Sequence, residues 1–141
     1  MTMQDGLRVA ATIEHVRMIS DFVRDAGKRL LLTDEALFDI DLAVEEASTN
    51  IVRHAYQPEQ AGDIQVRVEA TDDAMRIELT DWGRPFEADA AHLEVDVPVE
   101  VRAEGGMGVL LVHELMDEVT RSTASAPGGP NVLTMVKHTG R

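Results

Sequence analysis

Between Leu37 and Leu79 the apolar residues change their period, from the three-to-four spacing of a helix to strict alternation, and the change falls on Gln57-Pro58-Glu59-Gln60-Ala61-Gly62. A chain built this way must fold a helix and strands around one core. On the helical side, at about 100° per residue, Leu37, Ile40, Val44, Ala47 and Ile51 gather on one stripe. Glu46, Asn50 and Arg53 gather well away from its centre. Thr33 suits the N-cap, with Asp34 and Glu35 placing negative charge in the first turn, so the helix is expected to run to about Tyr56. On the alternating side, Ile64, Val66, Val68 and Ala70 face one way, and Gln65, Arg67 and Glu69 the other. After Thr71-Asp72-Asp73-Ala74, the alternation resumes with Met75, Ile77 and Leu79, which predicts a hairpin.

The flanks extend this pattern. Leu7 to Ala11 reads as a short first strand, and Ile13, Val16, Ile19 and Val23 recur at helical spacing until Gly27 supplies a stop. Val109 to Met116 reads as a short buried helix, Asp117 to Thr123 as a strand, and Val132 to His138 as the closing strand after the Ala126-Pro127-Gly128-Gly129-Pro130 turn. Glu87 to Gly105 has no period, many acidic residues and a single arginine, Arg102. A connection that long in a compact domain usually covers a site. The order predicts an α+β fold, a two-layer sandwich with helices packed on one face of a mixed, mainly antiparallel sheet. The 141 residues are expected to form one domain.

Composition narrows the function. A net charge of −13 works against binding to nucleic acid or an anionic membrane and favours a basic protein partner. The chain has no cysteine, which excludes disulfides and thiolate metal sites. The longest aliphatic run, Val109 to Val112, is far too short to span a bilayer. The N-terminal residues lack a basic stretch followed by an apolar core, so no secretion signal is expected and the cytoplasm is the expected location. The five histidines have no metal-ligand spacing, and no Gly-x-Ser-x-Gly setting supports a hydrolase.

Three stretches can carry chemistry. Glu46 and Asn50 lie one helical turn apart: a carboxylate can take a proton from an attacking hydroxyl, and an amide oxygen can hold a Mg²⁺ ion that keeps most of its waters. The same spacing also suits an ordinary solvated helix face. In Asp81-Trp82-Gly83-Arg84-Pro85-Phe86, Asp81 continues the inward parity of Met75, Ile77 and Leu79 and should face the core, where it needs hydrogen-bond donors. The exocyclic amine of an adenine is one suitable donor, and Gly83 would let a ligand approach the backbone. Gly105-Gly106-Met107-Gly108 runs into the Val109 helix, where unobstructed N–H groups and the helix dipole can cradle phosphates.

In order and approximate spacing, these stretches resemble the N, G1 and G2 boxes of the superfamily that groups gyrase, Hsp90, histidine kinases and MutL. The nearest likeness is to its anti-sigma-factor serine kinase branch, which Leu115-Met116-Asp117-Glu118-Val119 also resembles. The resemblance implies a Bergerat ATP-binding fold over the whole chain, with a lid at about 87–105. It implies Glu46 as general base, Asn50 as Mg²⁺ ligand and Asp81 as adenine reader. It further implies that Gly83, Phe86, Arg102, Gly106, Met107 and Gly108 lie around ATP. The implied activity is phosphorylation of a serine or threonine on an anti-anti-sigma (STAS-type) partner by a protein that also sequesters a sigma factor. A homodimer is implied as well. The alternative is a non-catalytic module that uses nucleotide to shape a partner surface. Gly128-Gly129-Pro130-Asn131 departs from the Gly-Thr of many relatives, which leaves that edge of the adenine pocket open.

Overall fold

In the computed structural model, which describes residues 3–57, 61–85 and 106–139, the order of elements is β1 (Met3–Ala10), α1 (Ile13–Arg29), α2 (Asp34–His54), β2 (Asp63–Ala70), β3 (Ala74–Asp81), α3 (Gly106–Leu115), β4 (Glu118–Ser122) and β5 (Asn131–His138). The period change thus coincides with the passage from α2 to β2. Thr33 caps α2 as expected, its side chain accepting a hydrogen bond from the Ala36 N–H at 3.1 Å. Arg53 and His54 complement the dipole in the last turn.

The strands form one five-stranded sheet in the order β1-β2-β3-β5-β4. All four pairings among the described residues are antiparallel. The predicted hairpin joins β2 to β3 with Ala70 opposite Met75. Its register puts Ile64, Val66, Val68, Met75, Ile77 and Leu79 on one face, all fully buried. On the other face Arg67 stands opposite Glu78, and Glu69 opposite Arg76, so opposite charges meet across the strands. Ile40, Val44, Ala47 and Ile51 of α2 and Ile19 and Val23 of α1 close the core from the helical layer. Two-layer α+β packing with the helices on one face is therefore the architecture.

Three local expectations change. Gly27 does not stop α1; it is buried inside the helix, where an added Cβ would lie 2.6 Å from the Leu37 side chain. The stop comes four residues later. Leu31 takes φ 60°, the Leu32 N–H donates to Gly27 O at 3.2 Å, and the Leu31 N–H donates to Lys28 O at 3.0 Å. That is a Schellman closure with leucine where glycine is usual. The first strand begins at Met3, because β1 pairs with β2 along its whole length. Finally, α3 is less enclosed than its composition suggests: Val112 is buried, but His113 and Glu114 are exposed. Lys137 ties the end of α3 to α2, donating to Leu115 O at 2.7 Å and Asp39 Oδ2 at 3.0 Å. No helix among the described residues is long and apolar enough to cross a membrane.

Candidate functional site

The C-terminal half of α2, the end of β3, α3 and the start of β5 surround a pocket lined by Asn50, Ile51, Asp81, Val112, Asn131 and Leu133. Three of these side chains are polar and almost wholly buried: Asn50 is 6% exposed, Asp81 3% and Asn131 2%. Buried polar groups of this kind are costly unless partnered, so their arrangement carries information. His113 and Arg121 also line the pocket.

Asp81 faces inward, as its parity predicts. Its Oδ1 accepts two hydrogen bonds, from the Gly83 N–H at 3.0 Å and from Asn131 Nδ2 at 2.9 Å. Asn50 departs from the helical-wheel expectation. It lies away from the centre of the apolar stripe, yet it is buried, because α3 packs along that flank of α2. Glu46, one turn earlier, stays half-buried and outside the pocket lining. The structure therefore brings Asn50 and Asp81 together and leaves Glu46 beside them.

Gly83 has a packing role that the sequence did not suggest. A Cβ built on it would stand 2.1 Å from Ala55 O, so its bare Cα is needed for contact with the end of α2. It borders a neighbouring groove with Trp82, Arg84 and Pro127 instead of the pocket itself. Arg84 strengthens the same junction: its N–H donates to Ala55 O at 2.8 Å and its Nε to His54 O at 3.0 Å. These bonds satisfy carbonyls that a helix end leaves free. The stretch carrying Asp81 is thereby fastened to the helix carrying Asn50.

Tyr56 is a second fastening that the motifs did not single out. Its hydroxyl donates to Asp63 O at 2.7 Å and accepts from the Trp82 N–H at 2.9 Å. Burial pushes its phenol above the ordinary 10.0, and the charges of Asp81 and Asp63 add to this, while the Trp82 and Asp63 backbone bonds oppose it. On the outer side, Arg8 lies 4.5 Å from the Trp82 ring centroid and pairs with Asp63 at 3.0 Å.

Asn131 ends the Gly128-Gly129-Pro130-Asn131 turn, the edge of the pocket that the sequence left open. Only the pairing of β3 with β5 sets it opposite Asp81. Gly106, Met107 and Gly108 form the first turn of α3 instead of a loop leading into it. Their backbone N–H groups remain among those that a helix start leaves without intrahelical partners. Phe86, Arg102 and the expected lid at 87–105 lie outside the described residues. Among the described residues no three or more His, Cys, Asp or Glu side chains converge to hold a metal. A cation in this pocket would depend on Asn50, water and the oxygens of a ligand.

Residues 9–137 match the family described as the histidine kinase-like ATPase domain. The chain belongs to that family. Within this ATPase family it is 30% identical to the serine-protein kinase RsbW of Bacillus subtilis over 118 residues, covering 80% of this chain and 74% of the relative. It is 33% identical to RsbW of Halalkalibacterium halodurans over 136 residues, covering 93% and 80%. These likenesses put it in the anti-sigma-factor serine kinase branch of the histidine kinase-like ATPases. Among solved structures it is similar to the RsbU and RsbW domains of a Mycobacterium tuberculosis protein, with a TM-score of 0.68 at 19% identity. That match covers 96% of this chain and 31% of the other. The histidine kinase domain of a blue-light activated kinase from Erythrobacter litoralis has a TM-score of 0.53 at 20% identity, covering 74% of this chain and 45% of the other. Both support the fold.

Proposed function

We propose that the chain is a serine/threonine protein kinase that binds ATP with Mg²⁺ in this pocket and acts as an anti-sigma factor. The observation that carries the reading is the convergence of Asn50 and Asp81, two buried polar side chains from distant parts of the sequence, on one pocket with apolar walls. Asp81 Oδ1 is engaged by Gly83 and Asn131. Its Oδ2 is then the acceptor for the amine of adenine. Asn50 lines the same pocket, and its amide oxygen would be the protein ligand for Mg²⁺, which would supply charge neutralisation to the phosphates. The first-turn N–H groups from Gly106 to Gly108 add donors without charge.

Glu46 is the general base. It sits four residues before Asn50, about 6 Å along the helix axis. Half-buried, it can be reached by the hydroxyl of a second protein. It removes the proton from that serine or threonine hydroxyl as the oxygen attacks the γ-phosphorus, the bond from that phosphorus to the β,γ-bridging oxygen breaks, and ADP is the leaving group. The acceptor is an anti-anti-sigma protein of the STAS type, and the other partner is a sigma factor. The net charge of −13 favours such protein surfaces where they are basic and disfavours direct contact with nucleic acid. The protein works in the cytoplasm as a homodimer.

Calorimetric titration of Mg²⁺ and ATP tests the site. Asp81→Asn replaces an acceptor-only oxygen by an amide and is expected to weaken binding about tenfold or more, the worth of a charge-assisted hydrogen bond. Glu46→Gln is expected to leave ATP affinity near wild type while lowering phosphate transfer to the cognate acceptor by about 10²–10⁴-fold. A folded wild type that binds no ATP would overturn the whole reading. Undiminished transfer by Glu46→Gln would remove Glu46 as base.

A further inference from the structure

The side chain of Asn131 uses both of its N–H donors and accepts one hydrogen bond on its oxygen. Nδ2 donates to Asp81 Oδ1 at 2.9 Å and to Gly83 O at 2.9 Å, while its Oδ1 accepts from the Ala124 N–H at 2.9 Å. The surroundings dictate the orientation of this amide: a flip would set its oxygen against two acceptors and its nitrogen against a donor. With Asn131 only 2% exposed, the network is shielded from water.

The carboxylate it touches is held from a second side. The Gly83 N–H bonds the same oxygen of Asp81 at 3.0 Å. Gly83 cannot drift away, because its Cα abuts Ala55 O and the next residue's N–H is bonded to that oxygen. Asp81 Oδ1 therefore has two fixed donors, one of them delivered by strand β5. The carboxylate plane is set, and Oδ2 is the oxygen left to meet a ligand in the pocket.

We propose that Asn131 is a positioning residue that determines the base specificity of the nucleotide pocket. It does so by saturating Asp81 Oδ1, so that the pocket offers one oriented acceptor. This rests on the ATP reading above and deepens it. An adenine presents an amine at position 6 and satisfies that acceptor. An inosine or guanine base presents a carbonyl at the same position, which places oxygen against oxygen. Discrimination of this kind is strong only while the carboxylate is unable to turn away from the mismatch. Asn131 also joins this acceptor to the turn between β4 and β5, through the Ala124 N–H. The shape of that turn is thereby tied to base recognition.

The test compares ATP with inosine triphosphate, each with Mg²⁺, by calorimetry on wild type, Asn131→Ala and Asn131→Thr, with circular dichroism to verify folding. Wild type should prefer ATP by at least about tenfold. Asn131→Ala should lower ATP affinity by about tenfold and change inosine triphosphate affinity by less than about twofold, so the preference collapses. Asn131→Thr keeps one hydroxyl donor and should recover part of it. A merely structural role would weaken both nucleotides in equal proportion, and an unchanged ratio in Asn131→Ala overturns the proposal even if ATP affinity falls. Should Asn131→Ala fail to fold, the Asn131→Thr ratio decides: partial loss of preference supports positioning, and a wild-type ratio refutes it. A folded wild type that binds neither nucleotide refutes the ATP reading itself, a result distinct from an unchanged ratio.

Discussion

Replacing Gly83 by alanine strikes the junction between the Asp81 segment and the end of α2. The new Cβ would lie 2.1 Å from Ala55 O, where ordinary contact begins at 3.4 Å. Neither neighbour is the tip of a flexible side chain, so the two backbones must part by more than an ångström. Overpacking of this kind costs about 1–3 kcal/mol. Parting also breaks the 2.8 Å bond from the Arg84 N–H to Ala55 O, which adds about 1–2 kcal/mol for two polar groups left poorly satisfied. The expected loss is thus about 2–5 kcal/mol, a large part of the stability typical of a domain. At about 3 °C per kcal/mol for a chain of this size, Tm should fall by about 6–15 °C. Urea unfolding followed by far-ultraviolet circular dichroism measures the loss. The fluorescence of Trp82, the only tryptophan, reads the same transition beside the mutation. Gly128→Ala is the control: Gly128 has φ 80° and nothing within 4 Å of its virtual Cβ, so only the left-handed backbone is penalised, by about 1–2 kcal/mol. A Gly83→Ala protein within about 0.5 kcal/mol of wild type, or more stable than Gly128→Ala, would refute the steric reasoning.

Two further predictions use single, well-defined groups. Tyr56 is the only tyrosine, so ultraviolet titration of the phenolate reads it directly; burial should hold its pKa above 10.0 in the native protein and release it on denaturation. Because the native value is raised, this contribution to stability is complete below 10.0 and is lost as pH rises through the native pKa, and Tyr56→Phe should flatten that alkaline decline. A native phenol that titrates at or below 10.0 would contradict the burial argument. Leu31 holds φ 60° while 81% exposed, so Leu31→Gly should relieve backbone strain and raise stability by about 1 kcal/mol. A lowered urea midpoint for that variant would show that Leu31 makes compensating contacts.

The local elements were legible because their causes are local. Thr33 caps α2 through a hydroxyl oxygen that accepts from an N–H three residues on, and the alternation from Ile64 to Leu79 reflects the two-residue repeat of an extended backbone. Such signals need only a few neighbouring residues, so they survive without knowledge of the whole. Gly27 misled for the same reason: a glycine near a helix end resembles a stop. What makes it necessary is a Leu37 side chain on another helix.

The sequence by itself determined the helices, the hairpin, the inward parity of Asp81 and the order of the three motifs that mark the family. Tertiary structure alone decided how those pieces make a site. Asn50 is buried because α3 lies along one flank of α2, and Asn131 meets Asp81 because β5 inserts between β3 and β4. Gly83 is confined by a carbonyl at the end of a helix that precedes it by a whole strand pair. These are long-range pairings, set by which apolar faces bury each other, and no periodicity within a segment encodes the identity of its neighbour.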